Sequence, residues 1–182
     1  MRPAEAEFLL QFLLPQLKSE QMITKKILGS VLPDRGDFAP APGSRTAIQL
    51  AWHIAVVEIW FLDAVIHGHF GETAARPAGV KTGRDVAQWY EENFARRMPP
   101  LDALGGEDLA TPVDFLGLRK DPGVAYLNIA IRHSVHHRGQ LSAYLRPMGA
   151  KVPAIYVESA DEPYPSSSGS GGGEKQQEPP AF

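Results

Sequence analysis

The stretch that decides the fold is Tyr126–Arg146, which reads YLNIAIRHSVHHRGQLSAYLR. Its apolar residues recur at helical spacing, and His133 and His137 stand one turn apart on one face of the predicted helix. Two imidazoles in this arrangement can bind one metal ion. The side chain of His136 diverges from that of His137 by about 100°, so we expect His136 to lie outside the metal site.

This histidine pair is open to two other interpretations. Metalloproteases carry the same spacing, but a catalytic glutamate follows their first histidine, whereas here position 134 is Ser. A zinc protease is therefore disfavoured. Histidines four residues apart are also common on helix surfaces without binding a metal. The surrounding Leu, Ile, Ala and Val residues favour a ligand role, because an unpaired polar group among them is costly.

Three further polar side chains fall on nearly the same helix face as the histidine pair. These are Tyr126, Gln140 and Tyr144, at −7, +7 and +11 from His133. They are candidates for supporting the metal ligands or facing a substrate. Gln140 has an equally good alternative role, which is to satisfy a buried backbone or loop group.

The composition excludes several classes of function. The chain of 182 residues has no cysteine, which rules out disulfides, thiolate ligands and a cysteine nucleophile. From Ala160 onward the net charge is −3, which leaves 17 basic and 17 acidic residues in the remainder. A chain without a basic excess does not favour nucleic acid as a partner. We also find no signal peptide and no apolar stretch long enough to span a membrane, and expect a cytoplasmic protein.

Hydrophobic periodicity predicts an all-α fold, a four-helix bundle within residues 1–160. Pro15 is expected to kink or interrupt the first helix, and Asp121-Pro122 to begin the last one as N-cap and first-turn proline. Residues 161–182 are rich in Pro, Ser and Gly and are predicted to form a disordered tail. The four helices are expected near 3–29, 45–67, 83–98 and 121–147.

The second predicted helix offers a third histidine. His53 shares its inward face with Leu50 and Val57. A lone histidine on an apolar helix face is more often hydrogen-bonded within the core than bound to a metal. Bundles, however, build metal sites from side chains on facing helices, so His53 is the natural third partner of His133 and His137.

Taken together, these residues resemble the DinB/YfiT-like superfamily. The resemblance rests on Leu-Ala-Trp-His53, on His133-x-x-x-His137-Arg-Gly-Gln140-Leu and on the trailing Tyr144-Leu-Arg-Pro-Met-Gly149, and it covers residues 5–158. It implies a four-helix bundle that holds a divalent metal ion on three histidines, and frequent homodimers. Named members of this superfamily resemble thiol-dependent transferases and isomerases. The positions carried over as ligands are His53, His133 and His137.

The resulting hypothesis is a metal-dependent enzyme with thiol-dependent S-transfer chemistry, or alternatively a metal-dependent hydrolase. Zn or Ni is the expected ion, with Fe, Mn or Cu also compatible. Because the chain has no cysteine, a low-molecular-weight thiol would have to be a cosubstrate. Two rivals remain: a non-catalytic or stress-related protein that binds a metal or small molecule, and a structural dimer in which the ion only ties two helices together. A fourth protein ligand would favour the structural dimer, since in structural zinc sites four protein ligands usually fill every coordination position.

Overall fold

A computed structural model describes residues 1–163 of the chain. Four long helices account for most of this part, joined by a short helix and a two-stranded hairpin before the last long helix. In chain order the elements are α1 (Pro3–Gly29), α2 (Ala47–His67), α3 (Gly83–Asp102), α4 (Gly106–Ala110), β1 (Pro112–Phe115), β2 (Arg119–Pro122) and α5 (Ala125–Leu145).

The long helices pack as a bundle with α1 and α2 at opposite corners, because each of them packs on both α3 and α5. The buried side chains between them are mainly Leu, Ile, Val and Ala, as their helical spacing predicts. The all-α four-helix prediction is therefore confirmed. The helices α2 and α5 carry the predicted site residues.

Local sequence signals place most helix ends correctly. Thr46 caps α2 through its hydroxyl, which accepts from the backbone N–H of Gln49, while Gln49 accepts from the backbone of Thr46. Thr82 and Asp85 form the same box at the start of α3.

The helix α1 continues uninterrupted through Pro15, which lies on its exposed outer side. The helix α3 also runs through Pro99 and Pro100 to Asp102, beyond its predicted end.

The predicted start of the last helix was wrong. Asp121 and Pro122 belong to β2, which pairs antiparallel with β1, and α5 begins only at Ala125. An Asp-Pro pair fits a helix start, but here Asp121 pairs with Val113 across the hairpin. The hydroxyl of the fully buried Tyr126 donates to the backbone oxygen of Val113, which ties the hairpin to α5. Tertiary pairing thus overrides the local signal.

Beyond α5, residues 151–163 form an irregular strap that packs back on the bundle. The strap is held to α1 by an ion pair between Lys26 and Glu162. The hydroxyl of Tyr156 accepts from Arg138 at 2.6 Å and lies 2.9 Å from a carboxylate oxygen of Glu20. Most of the predicted tail, from residue 164 onward, lies outside the described residues.

The prediction that no apolar stretch could span a membrane needs a correction. By length and composition α2 is sufficient, with 21 residues and few charges. In the bundle, 61% of its most apolar window is buried against other parts of the protein. It also bears two polar residues, His53 and Glu58, whose side chains contact α5 and α3 respectively. Burial of this kind is what the core helix of a bundle requires.

Candidate metal centre

Three histidines from two helices meet in the groove between α2 and α5. The Nε2 atom of His53 lies 3.2 Å from Nε2 of His133 and 3.3 Å from Nε2 of His137. The rings of His133 and His137 lie 4.5 Å apart, as expected for residues one helical turn apart. Together the three residues form a group that can hold a metal ion. We call His53, His133 and His137 the histidine cluster.

The spacing of these nitrogen atoms suits a common divalent ion. With metal–nitrogen bonds of about 2.0–2.1 Å and tetrahedral angles, two imidazole ligands lie about 3.3–3.4 Å apart. The two distances from His53 come within about 0.2 Å of that value. Among residues 1–163 no other His, Asp or Glu belongs to this group. The cluster can therefore offer three ligands and leave a further position open.

The environment of the cluster keeps the imidazoles of His53 and His133 neutral. Partial burial is the main reason that the pKa values of His53 and His133 fall from 6.5 to about 4. The positive charge of Arg45 lowers both values further, as does the neighbouring His137. Near neutral pH both side chains therefore have an unprotonated nitrogen, which is the form that binds metals.

Gln140 fixes the orientation of one ligand. Its Oε1 atom lies 3.0 Å from Nδ1 of His137. A carbonyl oxygen can only accept, so Nδ1 of His137 carries the proton and its Nε2 keeps the lone pair. Hydrogen bonds of this kind commonly orient metal-binding histidines. Gln140 thus lies where it can support a candidate ligand, which is one of the roles considered for it from the sequence.

A cluster of three neutral imidazoles is poorly satisfied by itself. Since Nε2 of His137 has only a lone pair, the contact with His53 needs a proton from His53. That one proton cannot also serve the contact with His133. In addition, Nδ1 of His133 is buried without a hydrogen-bond partner among the described residues. A cation among the three Nε2 atoms would replace the unfavourable contacts between these atoms with metal–nitrogen bonds.

The remaining predicted residues do not join the cluster. His136 is exposed, and although its ring lies 4.8 Å from that of His137, it is not part of the three-residue group. Tyr126 lies in an aromatic group with Phe61, and its hydroxyl is bonded to a backbone oxygen of the hairpin. Tyr144 is buried and packs edge-on against Phe38, with ring centroids 6.0 Å apart.

A second polar group lies beside the histidine cluster on the same two helices. The carboxylate of Glu58 accepts hydrogen bonds from Tyr90 and from Ser134. Burial raises the pKa of Glu58 to about 7, although Ser134, Tyr90 and Arg138 each favour its charged form. No local pattern in the sequence marked Glu58, because its two partners come from α3 and α5.

Arg138 completes this second group. It is 1% exposed and forms an ion pair with Glu20. It also donates to the hydroxyl of Thr24 at 3.1 Å and to Tyr156. We call this group of linked polar residues the Arg138 network; its members are Glu20, Thr24, Glu58, Tyr90, Ser134, Arg138 and Tyr156.

Gly139 follows Arg138 on the exposed side of α5, in a groove beneath the strap. A Cβ atom at this position would meet no atom within 4 Å, so no close helix contact requires a glycine here.

Comparison with known proteins agrees with this architecture. A crystal structure of a DinB-like protein from Bacillus cereus ATCC 10987 superposes with a TM-score of 0.68 at 29% identity, covering 79% of this chain and 95% of that one. The protein YjoA of Bacillus subtilis strain 168 is 28% identical over 134 residues, or 72% of this chain and 85% of YjoA. Its crystal structure, also described as DinB-like, superposes with a TM-score of 0.62 at 24% identity. Residues 16–141, which include the whole histidine cluster, match the model of the DinB superfamily, and the chain belongs to that superfamily.

Proposed function

We propose that this protein is a metal-dependent enzyme that transfers an electrophilic group to a low-molecular-weight thiol. His53, His133 and His137 would hold one divalent ion, with Zn or Ni preferred. The observation that carries the proposal is the convergence of three nitrogen atoms from two helices at distances that suit a shared ion. A bound ion of this type lowers the pKa of a coordinated thiol and orients it for attack.

The charge around the cluster supports an anionic fourth ligand. Three neutral imidazoles leave the charge of a divalent ion uncompensated. Arg45 is exposed near the cluster, and its positive charge acts on both His53 and His133. A thiolate would partly neutralise this positive region. The chain has no cysteine, so the thiol would come from solution.

The same surroundings favour transfer over hydrolysis. Metalloproteases place a glutamate beside the metal as a general base. Here the corresponding position is Ser134, whose hydroxyl donates to Glu58 inside the bundle. No carboxylate within residues 1–163 belongs to the histidine group. A thiol, with an ordinary pKa of about 8.5, needs only the nearby positive charge to become a nucleophile at neutral pH, without a protein base.

A metal analysis followed by an activity assay tests the proposal. Purified protein is expected to contain about one equivalent of metal by mass spectrometry, and to accelerate consumption of glutathione or cysteine with at least one of a panel of electrophiles. His133→Ala should lose both metal and activity, whereas the matched His136→Ala should keep both. Metal binding without activity on the whole panel would favour a non-catalytic metal-binding protein. Metal-independent activity would contradict the proposed mechanism.

Arg45 offers a more specific test of the anionic ligand. Arg45→Gln is expected to raise the KM for a negatively charged thiol such as glutathione by about tenfold, an effect of about 1.4 kcal/mol, with a smaller change for the uncharged 2-mercaptoethanol. Arg35→Gln is the matched control, since Arg35 is also an exposed arginine in the loop before α2. Equal effects of the two substitutions would exclude a role for Arg45 at the site.

A further inference from the structure

An apolar surface continues from the histidine cluster along α2 and α5. On α2, Val57 and Trp60 follow His53 by four and seven residues, so they lie on its side of the helix. On α5, Ile129 lies one turn before His133 and shares its side. Val57, Trp60 and Ile129 are only partly buried, although they pack against the core. From His53 to Trp60 this surface extends for about 10 Å.

An aromatic group lies at the far end of this surface. Its rings come from α2, from the loop after α2 and from β1. The ring centroid of Trp60 lies 4.6 Å from that of Phe70 and 5.9 Å from that of Phe115. The buried Phe61 contacts all three rings, and its own ring lies 6.3 Å from that of His133. We call Trp60, Phe70 and Phe115 the aromatic wall.

The aromatic wall presents ring surface whose polar atoms are already bonded. Its three members are partly buried, so part of each ring stays accessible. The indole N–H of Trp60 donates to the backbone oxygen of Gly71 at 2.6 Å. The two phenylalanines have no polar side-chain atom. Such a surface suits an aromatic group, which is stabilised by leaving water and by stacked or edge-on contacts with other rings.

Charge is distributed unevenly on the two sides of the histidine cluster. Arg45 precedes the first turn of α2, and its positive charge acts on the cluster. The aromatic wall lies in the opposite direction along the helix, two turns beyond His53. Asp63, the only carboxylate that follows Trp60 on α2, is paired with Arg97 at 2.9 Å. The charged residues of the hairpin also pair with one another. The cluster therefore separates a basic end from an apolar end.

We propose that the aromatic wall binds the aryl group of an electrophilic substrate, while the thiol cosubstrate lies on the Arg45 side of the cluster. This inference rests on the proposed function and specifies the substrate class of the same site. An epoxide that bears an aryl group is one such electrophile. The thiol first releases its proton to solvent. Its sulfur then bonds to an epoxide carbon, the C–O bond breaks, and the oxygen takes a proton from water, so protons and electrons balance.

Two epoxides with the same unconjugated reactive group test the substrate class. With glutathione, we expect the kcat/KM of the metal-loaded protein to be at least about tenfold higher for (2,3-epoxypropyl)benzene than for 1,2-epoxybutane. Trp60→Ala should remove most of this preference. Equal kcat/KM values for the two epoxides in the wild type would contradict the assignment of aryl electrophiles.

Thiol binding to the cobalt-loaded protein tests the aromatic wall without turnover. Binding of butane-1-thiol and of 4-phenylbutane-1-thiol is followed through the cobalt–thiolate absorption. The phenyl compound is expected to bind at least about tenfold more tightly. Trp60→Ala should remove most of this difference and leave the binding of butane-1-thiol unchanged. Trp89→Ala is the matched control, because Trp89 is also partly buried but packs on Trp52, with ring centroids 4.5 Å apart; it should keep the difference.

The binding experiment separates failure of this inference from failure of the proposed function. Equal affinities of the two thiols for the wild type would overturn the aromatic wall as a binding site, although the cluster would still bind metal and thiolate. A difference that survives both Trp60→Ala and Phe115→Ala would overturn it as well. Phe115→Ala alters the hairpin only, so it tests the wall even where Trp60→Ala does not fold. Absence of cobalt binding would overturn both proposals.

Discussion

The histidine cluster and the Arg138 network share the helices α2 and α5 but differ in how their polar groups are satisfied. In the Arg138 network, Arg138 and Glu58 are buried and have protein partners from α1, α3 and α5. In the histidine cluster, three Nε2 atoms face one another and a buried Nδ1 atom lacks a partner among the described residues. The first arrangement is complete without a ligand, whereas the second gains most from a cation.

This difference separates structural from functional polar residues within one short sequence. Both clusters draw on six consecutive positions of α5, residues 133–138, which include His133, Ser134, His137 and Arg138. Because side chains three or four apart share a face and adjacent ones do not, the two histidines turn to one side. Ser134 and Arg138, also four apart, turn together into the core. One helix thus serves both clusters without mixing them.

The largest expected effect comes from Arg138→Ala. It leaves the carboxylate of Glu20 without its buried partner, and removing one member of a buried ion pair typically costs about 3–5 kcal/mol. We expect a loss of this size in the free energy of unfolding, measured with urea, while metal content in the folded protein stays the same. Arg146→Ala is the control, since Arg146 forms an exposed pair with Asp161 and should change stability by less than about 1 kcal/mol.

The next effect concerns the histidine cluster itself. His53→Ala removes the only member of the histidine cluster that lies on α2. If the cluster binds an ion as proposed, metal affinity should fall by more than about 100-fold, beyond the 10–100-fold typical of losing a supporting contact. Titration with zinc against a competing chelator measures the change. His136→Ala should bind as the wild type does. If His136→Ala lost the metal and His53→Ala retained it, α5 alone would hold the ion.

A smaller effect is expected at the residue that supports a ligand. Gln140→Ala removes the acceptor for Nδ1 of His137, which should weaken metal affinity by about 10–100-fold without changing the stability of the metal-free protein. The same zinc titration provides the measurement. Gln140→Glu keeps an acceptor and should preserve the affinity. An unchanged affinity in Gln140→Ala would show that packing alone orients His137.

The pH dependence of stability should distinguish the two clusters in metal-free protein. Glu58 has a folded-state pKa near 7, above its value of 4.5 in the unfolded chain, so the unfolded state releases its proton first. Its contribution to stability therefore falls as pH rises from about 4.5 to 7. His53 and His133 contribute the opposite trend. Because folding lowers their pKa values from 6.5 to about 4, their contribution to stability is lost as pH falls from 6.5 to about 4.

Glu58→Gln isolates the first of these trends. We compare the free energy of unfolding of the wild type with that of Glu58→Gln at pH 5 and at pH 8. Relative to the variant, the wild type should become less stable by about 1 kcal/mol or more at the higher pH. Urea unfolding at several pH values measures this difference. Glu91→Gln is an exposed control that should show little pH dependence. A constant difference between wild type and Glu58→Gln would mean that Glu58 keeps one protonation state throughout.

The sequence by itself determined the parts of this protein that depend on near neighbours. The capping boxes at Thr46 and Thr82, the apolar periodicity of the long helices and the one-turn spacing of His133 and His137 all involve residues within four positions of each other. Such interactions form in an isolated segment, so their pattern is visible in the chain. The motifs around His53 and His133, taken together, also indicated the family that the comparisons confirm.

Tertiary structure alone decided which distant groups meet. His53 lies 80 residues from His133, and Arg138 lies 118 from Glu20. The sequence could propose the first pairing from the family motif and the bundle, but it could not identify Glu20 or Glu58 as partners. It also misplaced the start of α5, because Asp121 and Pro122 fit a helix start locally and a hairpin globally. Packing settles these cases, since the hydrogen bonds and buried area gained between elements exceed the weak preferences within them.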